Sequence, residues 1–254
     1  FEPEALKAQA VAARTFAARR MSSLGGSPCG KSGADICTDS TCCQAWCSDE
    51  AMRDKWGDNY ETYKKKLTDA VNATAGQVIT YDGELIEALY HSTSGGMTED
   101  SQNVFSAAKP YLVAVESPDE ESAPHFKRTV EFTYDQFVKK VNADWSKAKL
   151  STKKLQAQVE VVSRYESGRV QSVRLGGATI TGKQLRTTLS LDSANFSFAF
   201  QDSSVSITTI GFGHGVGMSQ LGANAMAASG SDYVKILTHY YTGTAVVNIS
   251  ELGK

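Results

Sequence analysis

The chain has 254 residues, with 26 Lys and Arg against 28 Asp and Glu, so its formal net charge is −2. That balance excludes a polycation that grasps nucleic acid by bulk charge. A composition of 41% hydrophobic and 21% charged residues describes an ordinary globular protein with a sizeable core. No run approaches the roughly 18 consecutive apolar residues needed to span a bilayer, and because the chain opens on Phe1, a signal, an anchor or the start of the domain is expected upstream.

Residues 3–21 predict a helix, since Pro3 suits a first helical position and the adjoining run is dense in Ala, Leu, Lys, Gln and Arg. Leu6, Ala10, Ala13 and Ala17 form one stripe on it and Glu4, Ala8, Val11 and Thr15 another. A stretch with Ser, Gly and Pro then carries every cysteine, and a polar helical pattern covers 49–75. Strand-rich runs at 77–81 and 84–90 flank Asp82-Gly83, the strongest short hairpin signal in the chain. The second run leads into His91-Ser92-Thr93-Ser94-Gly95-Gly96, a loop too rich in Gly and Ser to be core. Pro110, Pro118 and Pro124 punctuate the next stretch of chain, and Asp119-Glu120-Glu121 reads as a solvated acidic loop.

Over 126–195 the texture changes. A strand at 128–132, a helix at 134–141 and two strands at 158–164 and 169–175, joined by Glu166-Ser167-Gly168, read as a small inserted α+β unit. Apolar strands come next at 196–200 and 204–210, then Gly211-Phe212-Gly213-His214-Gly215-Val216-Gly217, then helical patterns at 220–228 and 233–241. The expected class is α+β, with a main body from 1–125 and 196–254, the smaller α+β unit inserted at 126–195, and a cleft between them.

The five cysteines, at 29, 37, 42, 43 and 47, all fall in one short stretch. An odd number cannot pair completely, and Cys42 beside Cys43 would need a strained vicinal bridge to pair with itself. Cys29, Cys37, Cys42 and Cys43 offer four soft ligands suited to tetrahedral zinc, with Cys47 as the substitute; disulfides and free thiols are the alternatives.

The glycines around His214 free the backbone and present the imidazole; a plain Gly-rich turn is the bland reading. The run lacks the Gly-Lys-Ser/Thr ending of a phosphate loop. Ser92, Thr93, Ser94 and Thr98 supply the uncharged, directional hydrogen bonds that sugar recognition needs, though loops are also Ser-rich for solubility alone. No Gly-x-Ser-x-Gly elbow surrounds Ser92 or Ser94, which argues against a Ser/His nucleophile. No His-x-x-x-His pair supports a zinc hydrolase built on His91, His125 or His214.

Three segments carry a specific resemblance. Glu4-Ala5-Leu6-Lys7-Ala8-Gln9-Ala10-Val11-Ala12-Ala13-Arg14-Thr15, Ser92-Thr93-Ser94-Gly95-Gly96-x-Thr98-Glu99 and Gly213-His214-Gly215-Val216-Gly217-Met218-Ser219-Gln220-x-Gly222-Ala223 resemble, in the same order, the signatures of the stage II sporulation protein D (SpoIID) and amidase-enhancer family. The resemblance covers most of the chain outside 126–195. It implies a peptidoglycan lytic transglycosylase that cuts glycan strands between N-acetylmuramic acid and N-acetylglucosamine once an amidase has removed the stem peptides. It also implies an extracytoplasmic protein with an N-terminal membrane anchor and an amidase partner. The alternative is a module that binds peptidoglycan and enhances the amidase.

Such a reaction needs one carboxylic acid, which protonates the glycosidic oxygen and then takes the proton of the muramic acid 6-hydroxyl as the 1,6-anhydro ring closes. That acid must start protonated, which requires shelter away from cations. Glu4 is the catalytic candidate inside the matched motif. A carboxylate in the first turn of a helix is, however, a common partner of the helix dipole, and the family's Glu in a Ser-Glu-Met-Pro-like segment would precede Phe1. The resemblance places Ser92, Thr93, Ser94, Gly95, Thr98, His214, Gly215 and Gln220 as residues that bind or orient the glycan. It also bears on the cysteines: some relatives bind zinc through His, Cys and an adjacent His-Cys pair followed by Gln, and Cys37-x-x-x-x-Cys42-Cys43-Gln44 matches that stretch with Cys42 in place of His. Cys29 stands nearest the missing His, which gives an all-thiolate, structural zinc site.

Overall fold

The computed structural model describes residues 1–31, 33–39, 42–105 and 107–252. Helices and small sheets are mixed throughout, as the α+β reading expects. Two compact units are present, one made of Phe1–Leu89 and Ala223–Lys254, the other of Tyr90–Gly222. No helix among the described residues is long and apolar enough to cross a membrane.

The first unit is organised by the helix Pro3–Ala18. Its buried side is Ala5, Ala8, Val11, Ala12, Thr15 and Phe16, which is the second sequence stripe widened by its neighbours. Small side chains let a strand lie close to it, and the polar group on that side is spent on the contact. The Thr15 hydroxyl donates to Val11 O at 2.8 Å and accepts from the Ile79 N–H at 2.9 Å. Ile79 belongs to Gln77–Tyr81, the middle strand of an antiparallel sheet between Glu84–Leu85 and Ala245–Asn248. Asp82 and Gly83 take φ of 49° and 81°, as a two-residue hairpin turn requires.

The pattern at 49–75 resolves into two helices, Asp49–Trp56 and Tyr60–Ala73, with a 3₁₀ turn at Gly57–Asn59 between them. Arg14 Nη1 donates to Thr74 O, just past the second helix, at 2.7 Å and to Gln77 O, the first residue of the strand Gln77–Tyr81, at 3.0 Å. The helix Tyr233–Tyr240, capped by the Asp232 side chain, completes the unit and buries Ile236, Leu237 and Tyr240.

The second unit holds two three-stranded antiparallel sheets. One orders Phe196–Phe200, Ser204–Ile210 and Lys127–Thr133; the other orders Val159–Arg164, Val170–Leu175 and Ala178–Thr181. The helices Tyr134–Asp144 and Gly182–Leu189 share one core with them, in which Phe137, Val141, Val173, Leu185, Phe196 and Val205 are buried. Both helices begin with reciprocal capping boxes, Thr133 with Gln136 and Thr181 with Gln184. The strands Ala178–Thr181 and Ala245–Asn248 and the helix Gly182–Leu189 are not among the elements that the sequence patterns predict. Thr181-x-x-Gln184 is the one local signal for that helix.

Candidate functional site

Within the second unit, backbone pairing lays the Ser-rich and Gly-His segments side by side. Tyr90–His91 pairs in parallel with Met218–Ser219. Thr93 N–H donates to Phe212 O at 3.0 Å, Phe212 N–H returns to Thr93 O at 2.8 Å, and Glu99 N–H donates to Gly215 O at 2.8 Å.

Glu120 fastens the bundle. Its side chain is buried, and its carboxylate accepts from Ser94 N–H, Ser94 Oγ, Gly95 N–H and Ser117 Oγ at 2.7 to 2.9 Å. Ser219 Oγ, from the third motif, donates to the same carboxylate. This corrects the solvated reading of Asp119-Glu120-Glu121: Asp119 and Glu121 are exposed, but Glu120 is not. Five donors gathered from three segments supply what a buried carboxylate needs in place of water.

The Ser-rich loop is likewise not the open surface its composition suggests. Thr93, Ser94 and Thr98 are wholly buried, and their side chains bond to the protein itself. Thr98 Oγ1, for example, accepts the Val115 N–H at 2.8 Å. Gly215 is also buried, whereas Ser92, Gly95, His214 and Gln220 are half-buried. Of the residues placed by resemblance, Ser92, His214 and Gln220 therefore keep side chains within reach of a ligand, while Thr93, Ser94 and Thr98 hold the shape.

Two buried charges complete the cluster: Glu99, which ends the second motif, and Arg169, which the sequence does not single out. Arg169 donates from Nη1 to Met97 O at 2.9 Å and from Nη2 to Ser94 O at 2.8 Å, while its buried Nε has no partner among the described residues. Burial lowers its pKa to about 10, against the pull of Glu99 and Glu120. Glu99 is buried and accepts from Asp100 N–H at 2.9 Å, Asn103 Nδ2 at 2.8 Å and Ser167 Oγ. Arg169 and Ser167 lie in the turn joining two strands, so only the fold brings them to the motif loops.

Both histidines are neutral by environment. Burial drives His91 well below the ordinary range, helped by His214 and Arg169. Burial, then Arg186, pushes His214 down to about 4. The His91 Nδ1 bonds Val216 O at 3.2 Å and its Nε2 is buried without a partner among the described residues. The His214 Nδ1 accepts the Val216 N–H at 3.1 Å, and the ring also bonds the Tyr90 backbone. The two rings lie 5.6 Å apart, and Phe105 stands edge-on to His214 at 5.4 Å.

Glu4 belongs to the first unit. Its Oε1 pairs with Lys7 Nζ at 2.6 Å and its Oε2 accepts the Tyr233 N–H, at the start of the helix Tyr233–Tyr240, at 3.0 Å. These are the partners of a carboxylate anion.

Cys29, Cys37, Cys42 and Cys43 come together with their Sγ atoms all within 4.8 Å of one another, and Cys42 Sγ lies 3.9 Å from Cys43 Sγ. All five cysteines are free thiols, and Cys47 is exposed and outside the group. Zinc–sulfur bonds of about 2.3 Å in a tetrahedron set sulfurs just under 4 Å apart, so this cluster fits a metal ion. A hydrogen bond from the Cys37 backbone lowers the Cys43 thiol to about 7, while the Cys37 side chain and burial raise Cys42 to about 12.

Comparison with known proteins finds relatives along nearly the whole chain. A family model described as stage II sporulation protein matches residues 1–81. The chain is 39% identical over 248 residues to the stage II sporulation protein D of Bacillus subtilis (strain 168), covering 97% of this chain and 69% of that protein. It is 38% identical over 251 residues to the stage II sporulation protein D of Bacillus amyloliquefaciens, covering 99% and 70%. It is also 28% identical over 295 residues to the amidase enhancer of Bacillus subtilis (strain 168), covering 96% and 38%. The chain belongs to the stage II sporulation protein D family.

Proposed function

We propose that this protein is an extracytoplasmic lytic transglycosylase that cleaves peptidoglycan strands between N-acetylmuramic acid and N-acetylglucosamine after an amidase has stripped the stem peptides. The observation that carries the reading is the pairing of the second and third motifs through Glu120. Ser94 and Gly95 on one side and Ser219 on the other donate to one buried carboxylate, so the loops form a single preorganised surface. Ser92, His214 and Gln220 contact the glycan from it; Thr93, Ser94, Gly95, Thr98 and Gly215 fix its shape. A neutral His214 brings no buried imidazolium for the substrate to compensate.

The reaction needs one carboxylic acid. Glu4 is the carboxylate that the first motif offers, with Lys7 and the Tyr233 amide on its two oxygens. Zinc is the metal that four clustered thiolates select, and Cys29, Cys37, Cys42 and Cys43 would hold it. With four protein ligands no position is left open for water, so it would brace the cysteine loop and take no part in the chemistry.

Incubating amidase-treated sacculi with the full-length protein should release 1,6-anhydro-ended fragments, read by mass spectrometry. Hydrolytic ends, or no fragments, would refute transglycosylase activity. The similarity to an amidase enhancer favours one second reading, a module that binds stripped glycan and stimulates the amidase. Binding and amidase stimulation without anhydro products would select it.

A further inference from the structure

The second unit contains a small cavity beside His214 that the glycan reading leaves unassigned. It has a volume of about 110 Å³ and its walls include Arg169, Lys183, Arg186, Glu99, Phe105 and Val170. At about 30 Å³ of liquid volume per water, that is room for a group of only a few non-hydrogen atoms.

Its charge is one-sided. Three cationic side chains face one carboxylate, and Glu99 already accepts from Asp100, Asn103 and Ser167. The cations have capacity left. Arg186 uses its Nε on Leu191 O at 3.1 Å, and Lys183 donates to Val104 O at 2.6 Å. Arg169, which is 2% exposed, keeps a buried Nε without a partner among the described residues. That Nε lies against Gly215 and out of a water's reach, so Arg169 lends the wall its charge while Lys183 and Arg186 offer the donors. The cavity also has an apolar wall, with Phe105 against His214 and Val170 beside them.

We infer that this cavity is a carboxylate-binding subsite, with Arg169, Lys183 and Arg186 as its cations, that takes the lactyl carboxylate of a peptide-free muramic acid residue. The inference rests on the proposed glycan reading and deepens it. A lactyl ether ends in one carboxylate and one methyl group, which matches a small pocket with a cationic wall and an apolar wall. A muramic acid that still bears its stem peptide carries an amide there, with neither the charge nor the free end. Such a strand leaves the cations uncompensated and is rejected, which is how a desolvated charge discriminates.

The test compares three probes by calorimetric titration of the full-length protein: stripped glycan strands, the same strands with their carboxyls converted to methylamides, and chitooligosaccharides, which lack the lactyl group. The protein should prefer free-acid strands over methylamide strands by about tenfold or more, as charge-assisted hydrogen bonds imply. Replacing Lys183→Met together with Arg186→Gln should bring that ratio close to one, whereas Lys153→Met, on a separate turn of the same unit, should leave it intact. The wild-type comparison stands even if the double variant fails to fold. Equal binding of free-acid and methylamide strands overturns the subsite while leaving the glycan reading in place. Failure of all three probes to bind overturns both.

Discussion

Gly215 lies against the guanidinium of Arg169, so closely that a Cβ at position 215 would sit 2.4 Å from Arg169 Cζ. The residue also adopts a φ of +87°, which side chains avoid. The glycine of the third motif is thus required because a buried arginine passes over its Cα.

Gly215→Ala should therefore cost about 3 kcal/mol or more, combining backbone strain with overpacking against a group that cannot retreat. Gly83 has a similar φ of +81° with nothing within 4 Å, so Gly83→Ala should cost only about 1 kcal/mol. Urea unfolding midpoints measure both. Equal costs would mean that the contact with Arg169 contributes nothing.

Replacing Glu120→Gln keeps the shape but turns an acceptor-only group into one that points an NH₂ at donors. Of the five groups now donating to it, those facing the amide nitrogen lose their acceptor. The expected loss is about 2–4 kcal/mol, against about 0.5 kcal/mol or less for the exposed neighbour Glu121→Gln. Matching unfolding curves for the two variants would restore the solvated-loop reading.

That pair of residues also shows how much of the molecule is legible in the sequence. Periodicity and turn chemistry predict the first helix, the Asp82-Gly83 hairpin and the strands at 196–200 and 204–210, because those signals are local. Glu120 and Glu121 are locally alike; what separates them is donors from Ser94, Gly95, Ser117 and Ser219, which only tertiary structure assembles. Arg169 is illegible for the same reason. The hydroxyl-rich loop misleads in the opposite direction, since composition does not say whether a hydroxyl faces water or a neighbouring carbonyl. The break at Gly57, which takes a φ of 49°, is a local glycine signal that the single pattern over 49–75 passes over, whereas the short strand Ala245–Asn248 depends on Gln77–Tyr81, a partner distant in sequence.

Acid should destabilise the protein in a defined window. His214 falls to about 4 in the folded state by burial and nearby arginines, whereas an unfolded histidine titrates near 6.5. Below about pH 6.5 the unfolded state takes up a proton that the folded state refuses, so stability falls as pH drops from about 6.5 towards 4 and is restored above it. The effect is about 2–3 kcal/mol over that window, and His91, displaced in the same direction, adds to it. Thermal melts from pH 7.5 to 4 should show the decline, and His214→Gln should reduce it, with the remainder due to His91. A slope unchanged in the variant would place the acid sensitivity elsewhere.

The cysteine cluster predicts one zinc per chain by elemental analysis of protein purified without chelator. Cys43→Ser should lose the metal, because its Sγ is one of the four gathered within 4.8 Å, whereas Cys47→Ser should keep it. Chelation should lower the melting temperature of the wild type and leave Cys43→Ser unmoved, since a ligand that binds only the folded state stabilises that state alone. Zinc-free protein whose melting point is indifferent to chelator would reduce the cluster to packed thiols.

Glu4→Gln separates anchoring from proton donation. As an anchor, Glu4 joins Lys7 and the amide of Tyr233. Glutamine keeps an acceptor for the amide and loses the ion pair, so stability should fall by about 1 kcal/mol or less. As the donor, it would take with it a proton transfer contributing about 10²–10⁴-fold to the rate. Both oxygens of Glu4 are engaged as an anion's would be, and a general acid must start with a proton and a free path to the sugar oxygen. The expected result is therefore release of anhydro fragments within about threefold of wild type, with a slightly lower unfolding midpoint. A collapse of release by about two orders of magnitude in a variant that still folds and still binds stripped glycan would show that Lys7 steps aside when substrate arrives, and would make Glu4 the acid.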